Sequence, residues 1–114
     1  MRKRLILVED HEDLREVTAE WLEMAGFDVA AFDNAEDALV ALDARFPDAL
    51  VTDISLPSMG GVELAERARS VGAGRSLLIV ALTGSSDVAR SPPFDVVLSK
   101  PVDMDGLATL LRGG

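Results

Sequence analysis

Apolar residues follow two alternating rhythms along this chain. Short unbroken runs, Leu5-Ile6-Leu7-Val8, Ala49-Leu50-Val51, Leu77-Leu78-Ile79-Val80-Ala81-Leu82 and Val96-Val97-Leu98, are separated by longer stretches in which apolar residues recur every three or four positions. Runs of this kind read as strands buried on both faces, the pattern of a parallel sheet covered by helices. They predict strands over 4–9, 49–53, 77–82 and 94–98, with a shorter strand over 27–32. The intervening periodicity predicts a helix over 12–25, with Leu14, Val17, Trp21 and Ala25 on one face and Gly26 as its C-terminal cap. Asn34 is suited to cap the next helix, with Glu36 and Asp37 in a first turn where the helix dipole favours acids. Its inward face is Ala35, Ala38, Leu39, Leu42 and Phe46, and Pro47 ends it. Pro57, Gly60 and Gly61 turn the chain into a helix over 61–71 that faces inward through Leu64, Ala68 and Val71. Asp103 is suited to cap a last helix, with Leu107, Leu110 and Leu111 toward the core.

Strands alternating with helices, joined by right-handed crossovers, give an α/β doubly wound sheet with helices on both faces. One interval breaks the rhythm. Gly84–Pro93 is rich in Gly, Ser and Pro, and leaves room for one helical turn at most, around Asp87–Arg90. The fourth helix is therefore predicted to be short or absent. The 114 residues suit a single domain over 1–114. A net charge of −9 would repel a nucleic-acid backbone and an anionic membrane surface alike. No cysteine is present, so disulfide and thiolate chemistry are excluded. The apolar run after Met1-Arg2-Lys3-Arg4 is too short for a signal peptide or a membrane span, so the expected setting is cytoplasmic.

The chemistry collects where the apolar runs stop. The first runs into Glu9-Asp10, the next into Asp53, the next into Thr83 and the last into Lys100-Pro101. Sites in doubly wound sheets lie beyond the carboxyl ends of the strands, so these five side chains converge. Clustered carboxylates raise one another's pKa unless cations join them. Mg²⁺ suits such a cluster, with Asp10 and Asp53 as ligands, Glu9 acting through water and the main-chain carbonyl of Ser55 completing the protein's share. A carboxylate so placed can accept a phosphoryl group as an acyl phosphate, a transfer that needs positioning, metal and positive charge. Lys100 would neutralise the carboxylates before transfer and the phosphoryl group afterwards, and Thr83 would offer a hydroxyl donor. Ser55 and Ser85 can either flank an attacking water or simply form turns. His11 reads as a helix-start residue rather than a ligand, Glu12 and Asp13 as first-turn acids, and Trp21 as helix packing.

Four segments carry a resemblance to a known family. They are Val8-Glu9-Asp10-His11-Glu12-Asp13, Val51-Thr52-Asp53-Ile54-Ser55-Leu56-Pro57-Ser58-Met59-Gly60-Gly61, Ala81-Leu82-Thr83-Gly84 and Leu98-Ser99-Lys100-Pro101-Val102. Together they resemble the receiver domain of two-component response regulators, and the similarity runs over essentially the whole chain. The resemblance implies a flavodoxin-like sheet in the order 2-1-3-4-5. It implies that Asp53 takes a phosphoryl group from a histidine kinase or a histidine phosphotransfer protein, that Glu9 and Asp10 are the acid pair for Mg²⁺, that Thr83 is the switch hydroxyl and that Lys100 binds the acyl phosphate. It also implies a cis bond at Lys100-Pro101. The downstream target would be another protein, reached either by a stand-alone regulator or by the receiver of a hybrid histidine kinase.

The chain departs from the usual receiver in two places. Val97 and Leu98 stand where an aromatic residue is usual, and the crossover after Thr83 is curtailed. The expected signalling surface is thus the first or the last helix rather than the fourth. Three other classes fit the sequence less well. An aspartyl-phosphate phosphatase needs a second acid two residues after the nucleophile, where Ser55 stands. A flavin carrier needs a phosphate cradle where Glu9-Asp10-His11-Glu12-Asp13 would repel one. The remaining alternative is an interaction module on the same fold that works without phosphorylation.

Overall fold

A computed structural model describes residues 2–84 and 93–113. Its elements run β1 (Arg4–Val8), α1 (Glu12–Met24), β2 (Asp28–Phe32), α2 (Ala35–Ala44), β3 (Ala49–Asp53), α3 (Gly61–Val71), β4 (Leu78–Thr83), β5 (Val96–Ser99) and α4 (Met104–Gly113). The five strands pair in parallel in the order β2-β1-β3-β4-β5. The strands lie within one to two residues of their predicted limits. The expectation of one helical turn at Asp87–Arg90, and with it the short or absent fourth helix, falls outside the described residues.

The central strands are buried on both sides because each feeds two cores. In β1, Leu5 and Leu7 join the core under α1 and α4, while Ile6 and Val8 join the core under α2 and α3. β3 divides in the same way, with Val51 on the first side and Leu50 on the second. Each such Leu, Ile or Val contributes about 1.5–3 kcal/mol on burial, so the sheet's position is fixed by many equivalent contacts. The unbroken apolar runs follow from this two-sided demand.

The helix ends follow local chemistry. The Asn34 side chain accepts the Asp37 N–H at 2.8 Å, as a cap should. Gly26, just past α1, has φ 104°, a left-handed value that suits glycine. The Asp103 carbonyl accepts the Leu107 N–H at 2.9 Å.

Two predicted faces need correction. On α1 the buried residues are Thr18 and Leu22; Trp21 and Ala25 are half-buried, and Leu14 and Val17 are 40% and 60% exposed. The helix packs on β1, β2 and α4, which centres its inward face on the Thr18–Leu22 row. Thr18 is polar and β-branched, so its row did not stand out in an apolar pattern. On α3, Leu64, Ala65 and Ala68 are buried but Val71, in the last turn, is 43% exposed.

Candidate functional site

The carboxyl ends of β1, β3, β4 and β5 bring the predicted side chains together. Lys100 Nζ lies 2.7 Å from Asp53 Oδ1 and 2.9 Å from Glu9 Oε1, so one ammonium bridges two buried carboxylates. Carboxylate oxygens of Glu9, Asp10 and Asp53 all lie within 4.8 Å of one another. Asp10, unlike the other two, is exposed. A cavity of about 380 Å³ opens beside Asp53, lined by Asp53, Ser55, Leu82, Thr83, Gly84 and Lys100. Thr83 is buried at the end of β4, and Ser55 is exposed in the turn after β3. Ser85 lies outside the described residues.

Local backbone explains the placement. Lys100 is fixed because its N–H donates to the Thr83 carbonyl at 2.8 Å, continuing the β4–β5 ladder by one residue. The Lys100-Pro101 bond is cis, as the resemblance implied. Asp53 sits on a strand end that α3 approaches closely. A Cβ on Gly61 would collide with the Asp53 carbonyl oxygen and lie 2.9 Å from Ile54 Cα, so only glycine fits there. The Gly61 N–H donates to the Ile54 carbonyl at 2.9 Å, which closes the turn. Gly60 makes only ordinary contact, so of the two glycines it is Gly61 that the approach requires. Thr52 is wholly buried and its hydroxyl donates to the Asp53 carbonyl at 2.9 Å.

The cluster is electrostatically divided. Burial raises the Asp53 carboxyl to about 6, with Glu9 adding to the rise and Lys100 opposing it. Burial also works to raise Glu9, but hydrogen bonds from Lys100, Asp53 and the His11 N–H outweigh it and leave Glu9 below its ordinary value. Burial works to lower Lys100, and the two carboxylates it bridges more than reverse that. Asp53 therefore keeps its proton to a higher pH than a free aspartate would, while Glu9 gives its proton up more readily.

The donor set fits a hard cation. Three carboxylates offer only oxygen, and the site has no Cys and no His side chain among its donors. That chemistry suits Mg²⁺ rather than a thiolate- or imidazole-seeking metal. His11 is instead the N-cap of α1, its Nδ1 accepting the Leu14 N–H at 3.3 Å. Glu12 and Asp13 lie in the first turn, as the sequence suggested. Sequence reasoning missed Arg15, whose guanidinium donates to the Glu9 carbonyl at 3.1 Å. Nothing in the spacing marks an arginine that reaches back past a helix start. It also missed Thr52, although a threonine inside an apolar run was a visible signal.

The comparisons with known proteins agree on the fold and the family. The family model for the response regulator receiver domain matches residues 5–112. The response regulator receiver protein CpdR of Brucella abortus is 39% identical over 110 residues, covering 92% of this chain and 90% of that protein. A CheY-like receiver domain from Methylobacillus flagellatus superposes with a TM-score of 0.90 at 29% identity, covering 99% of this chain and 98% of that one. The receiver domain of the hybrid histidine kinase CckA superposes with a TM-score of 0.80 at 25% identity, covering 96% of each chain. Sequence, fold and site geometry lead to one conclusion: this chain belongs to the response regulator receiver family of two-component signalling.

Proposed function

We propose that the chain is a single receiver domain that accepts a phosphoryl group on Asp53. The observation that carries this reading is the Lys100 ammonium at 2.7 Å from a buried Asp53 carboxylate, with Glu9 and Asp10 clustered beside it. In the proposed transfer, an Asp53 oxygen attacks phosphorus and the phosphorus–nitrogen bond of a donor phosphohistidine breaks. The imidazole leaves and an acyl phosphate remains. Mg²⁺, when bound by Glu9, Asp10, Asp53 and the Ser55 carbonyl, supplies positive charge to the phosphoryl oxygens. Lys100 releases Asp53 and takes up a phosphoryl oxygen, remaining paired with Glu9. Thr83, in the cavity wall, donates its hydroxyl to a second oxygen.

The proposed donor is a histidine kinase or a histidine phosphotransfer protein, and the output is a protein contact rather than turnover of a metabolite. An apolar groove of about 510 Å³ lies between α1 and α4, lined in part by Leu14, Val17, Val102, Met104 and Leu107 and reaching Lys100. That groove supports the reading that partners use α1 and the last helix. Partner binding that responds only to charge reversals at 85–93, and not on α1 or α4, would overturn that part. Among the described residues no helix is long and apolar enough to cross a membrane. The proposed setting is the cytoplasm, where ATP-derived phosphohistidine is made.

The experiment is intact-mass analysis after incubation with acetyl phosphate and Mg²⁺, with Asp53→Asn alongside. A labile adduct on the wild type alone is the expected result. An adduct on both proteins rules out Asp53. No adduct on either, even with a cognate kinase, leaves the phosphorylation-independent interaction module as the better account.

A further inference from the structure

Asp10 differs from the other two acids of the cluster in how it is held. Glu9 is fixed by Lys100 and by the His11 N–H, which donates to its carboxylate at 3.0 Å. Asp53 is fixed by Lys100. Among the described residues no hydrogen bond or ion pair holds the exposed Asp10 carboxylate. Its aim is set by the backbone on which it is mounted.

That backbone is tied at both sides of the Asp10 peptide. The Glu9 N–H donates to the Phe32 carbonyl at 3.0 Å, which anchors the end of β1 to β2. The His11 carbonyl accepts the Arg15 N–H at 2.9 Å, and the His11 side chain caps α1. The Glu9 carbonyl, which shares a peptide plane with the Asp10 nitrogen, is held by a side chain, the Arg15 guanidinium at 3.1 Å. Positive charge explains this arginine poorly. It lies near the positive end of the α1 dipole and beside acids that are to take up a cation, so its charge opposes both. Its hydrogen bond is what it contributes.

We propose that Arg15 is a positioning residue for the metal site: by gripping the Glu9 carbonyl it orients the peptide plane that aims Asp10 at the cation. This inference rests on the receiver reading. Arg15→Met keeps the aliphatic stem and removes the donor, while Arg15→Lys keeps a donor and the charge. Titration calorimetry with MgCl₂ on the metal-free protein should show Arg15→Met binding about tenfold more weakly, the lower range for loss of a residue that orients a ligand. Arg15→Lys should recover most of that loss. Phosphorylation by acetyl phosphate should be slowed in Arg15→Met at low Mg²⁺ and return toward the wild-type rate at saturating Mg²⁺.

The competing accounts predict other signs. If Arg15 is only a nearby cation, its removal tightens Mg²⁺ binding. If it is only packing, Mg²⁺ binding is unchanged. Either result overturns the inference. Thermal unfolding without metal checks that Arg15→Met is folded; should it not be, Arg15→Gln, which keeps an N–H but reaches less far, must still bind Mg²⁺ more weakly than Arg15→Lys. Wild-type protein that binds no Mg²⁺ removes the receiver reading as well, whereas wild-type binding with an unaltered variant removes this inference alone.

Discussion

The two ends of the sheet treat charge in opposite ways. At the amino end, charged side chains satisfy the backbone. Lys3 Nζ sits on the Leu111 and Arg112 carbonyls at the end of α4, and Arg112 donates to the Ala25 carbonyl at the end of α1. Arg69 bonds the carbonyls of Leu77 and Pro93 and the Asp95 carboxylate, which also accepts the Ile79 N–H. These groups are partly exposed and individually modest in effect. At the carboxyl end, Glu9 and Asp53 are buried next to one another, with Lys100 as the ammonium bridging them. One end stabilises the fold. The other stores repulsion that a cation can relieve, and its cost should be visible as dependence on pH and Mg²⁺.

The largest effect expected is from Lys100→Met. It leaves two buried carboxylates without their cation, which should cost about 3 kcal/mol at about pH 8 without divalent metal. The loss should shrink near pH 5, where one carboxyl takes a proton, and urea denaturation at both pH values reads the difference. A loss equal at both would place the repulsion elsewhere.

Gly61→Ala comes next. Its Cβ meets the Asp53 carbonyl, and the backbone shift that relieves this should cost about 2 kcal/mol and slow phosphorylation. Wild-type phosphorylation kinetics in a destabilised Gly61→Ala protein would separate the turn from the site.

Asp53→Asn should act in the other direction. The folded carboxyl holds its proton up to about 6 and the unfolded one only to about 3.8, so stability falls as pH rises through that window. Asparagine removes that loss, and the gain should be about 1–2 kcal/mol near pH 8, after allowing for the bond Lys100 gives up. The gain should vanish below about pH 4, where both states are protonated. Mg²⁺ should raise the melting temperature of the wild type more than that of the variant.

The amino end gives the smaller numbers. Asp95→Ala should cost about 1 kcal/mol by freeing the Ile79 N–H and Arg69, with no change in Mg²⁺ affinity. Lys3→Met should cost about 0.5 kcal/mol, in keeping with a cation at a helix C-terminus. A change in Mg²⁺ affinity from either variant, measured by calorimetry, would blur the contrast between the two ends.

Much of the fold and of the site is legible in the sequence. Leu5-Ile6-Leu7-Val8 reads as a two-sided strand because two cores demand it, and Asn34 reads as a cap because its chemistry is local. The α1 face did not read correctly, because Thr18 at its centre is polar while Leu14 and Val17 on its flank are apolar. Val71 failed for a similar reason, since periodicity does not say where a helix leaves the sheet. Arg15 was invisible because its bond runs backward to a main-chain carbonyl, and a carbonyl has no sequence signature.

The sequence by itself determined the strand and helix pattern, the strand-end positions of Glu9, Asp10, Asp53, Thr83 and Lys100, and thus the class of chemistry. Those properties depend on residue type and spacing along one chain. Tertiary structure decided that one lysine bridges Glu9 and Asp53, that Gly61 rather than Gly60 allows the close approach, and that Asp53 rather than Glu9 holds its proton to higher pH. These depend on distances between segments far apart in sequence, and on the burial that sets how strongly charges at those distances interact.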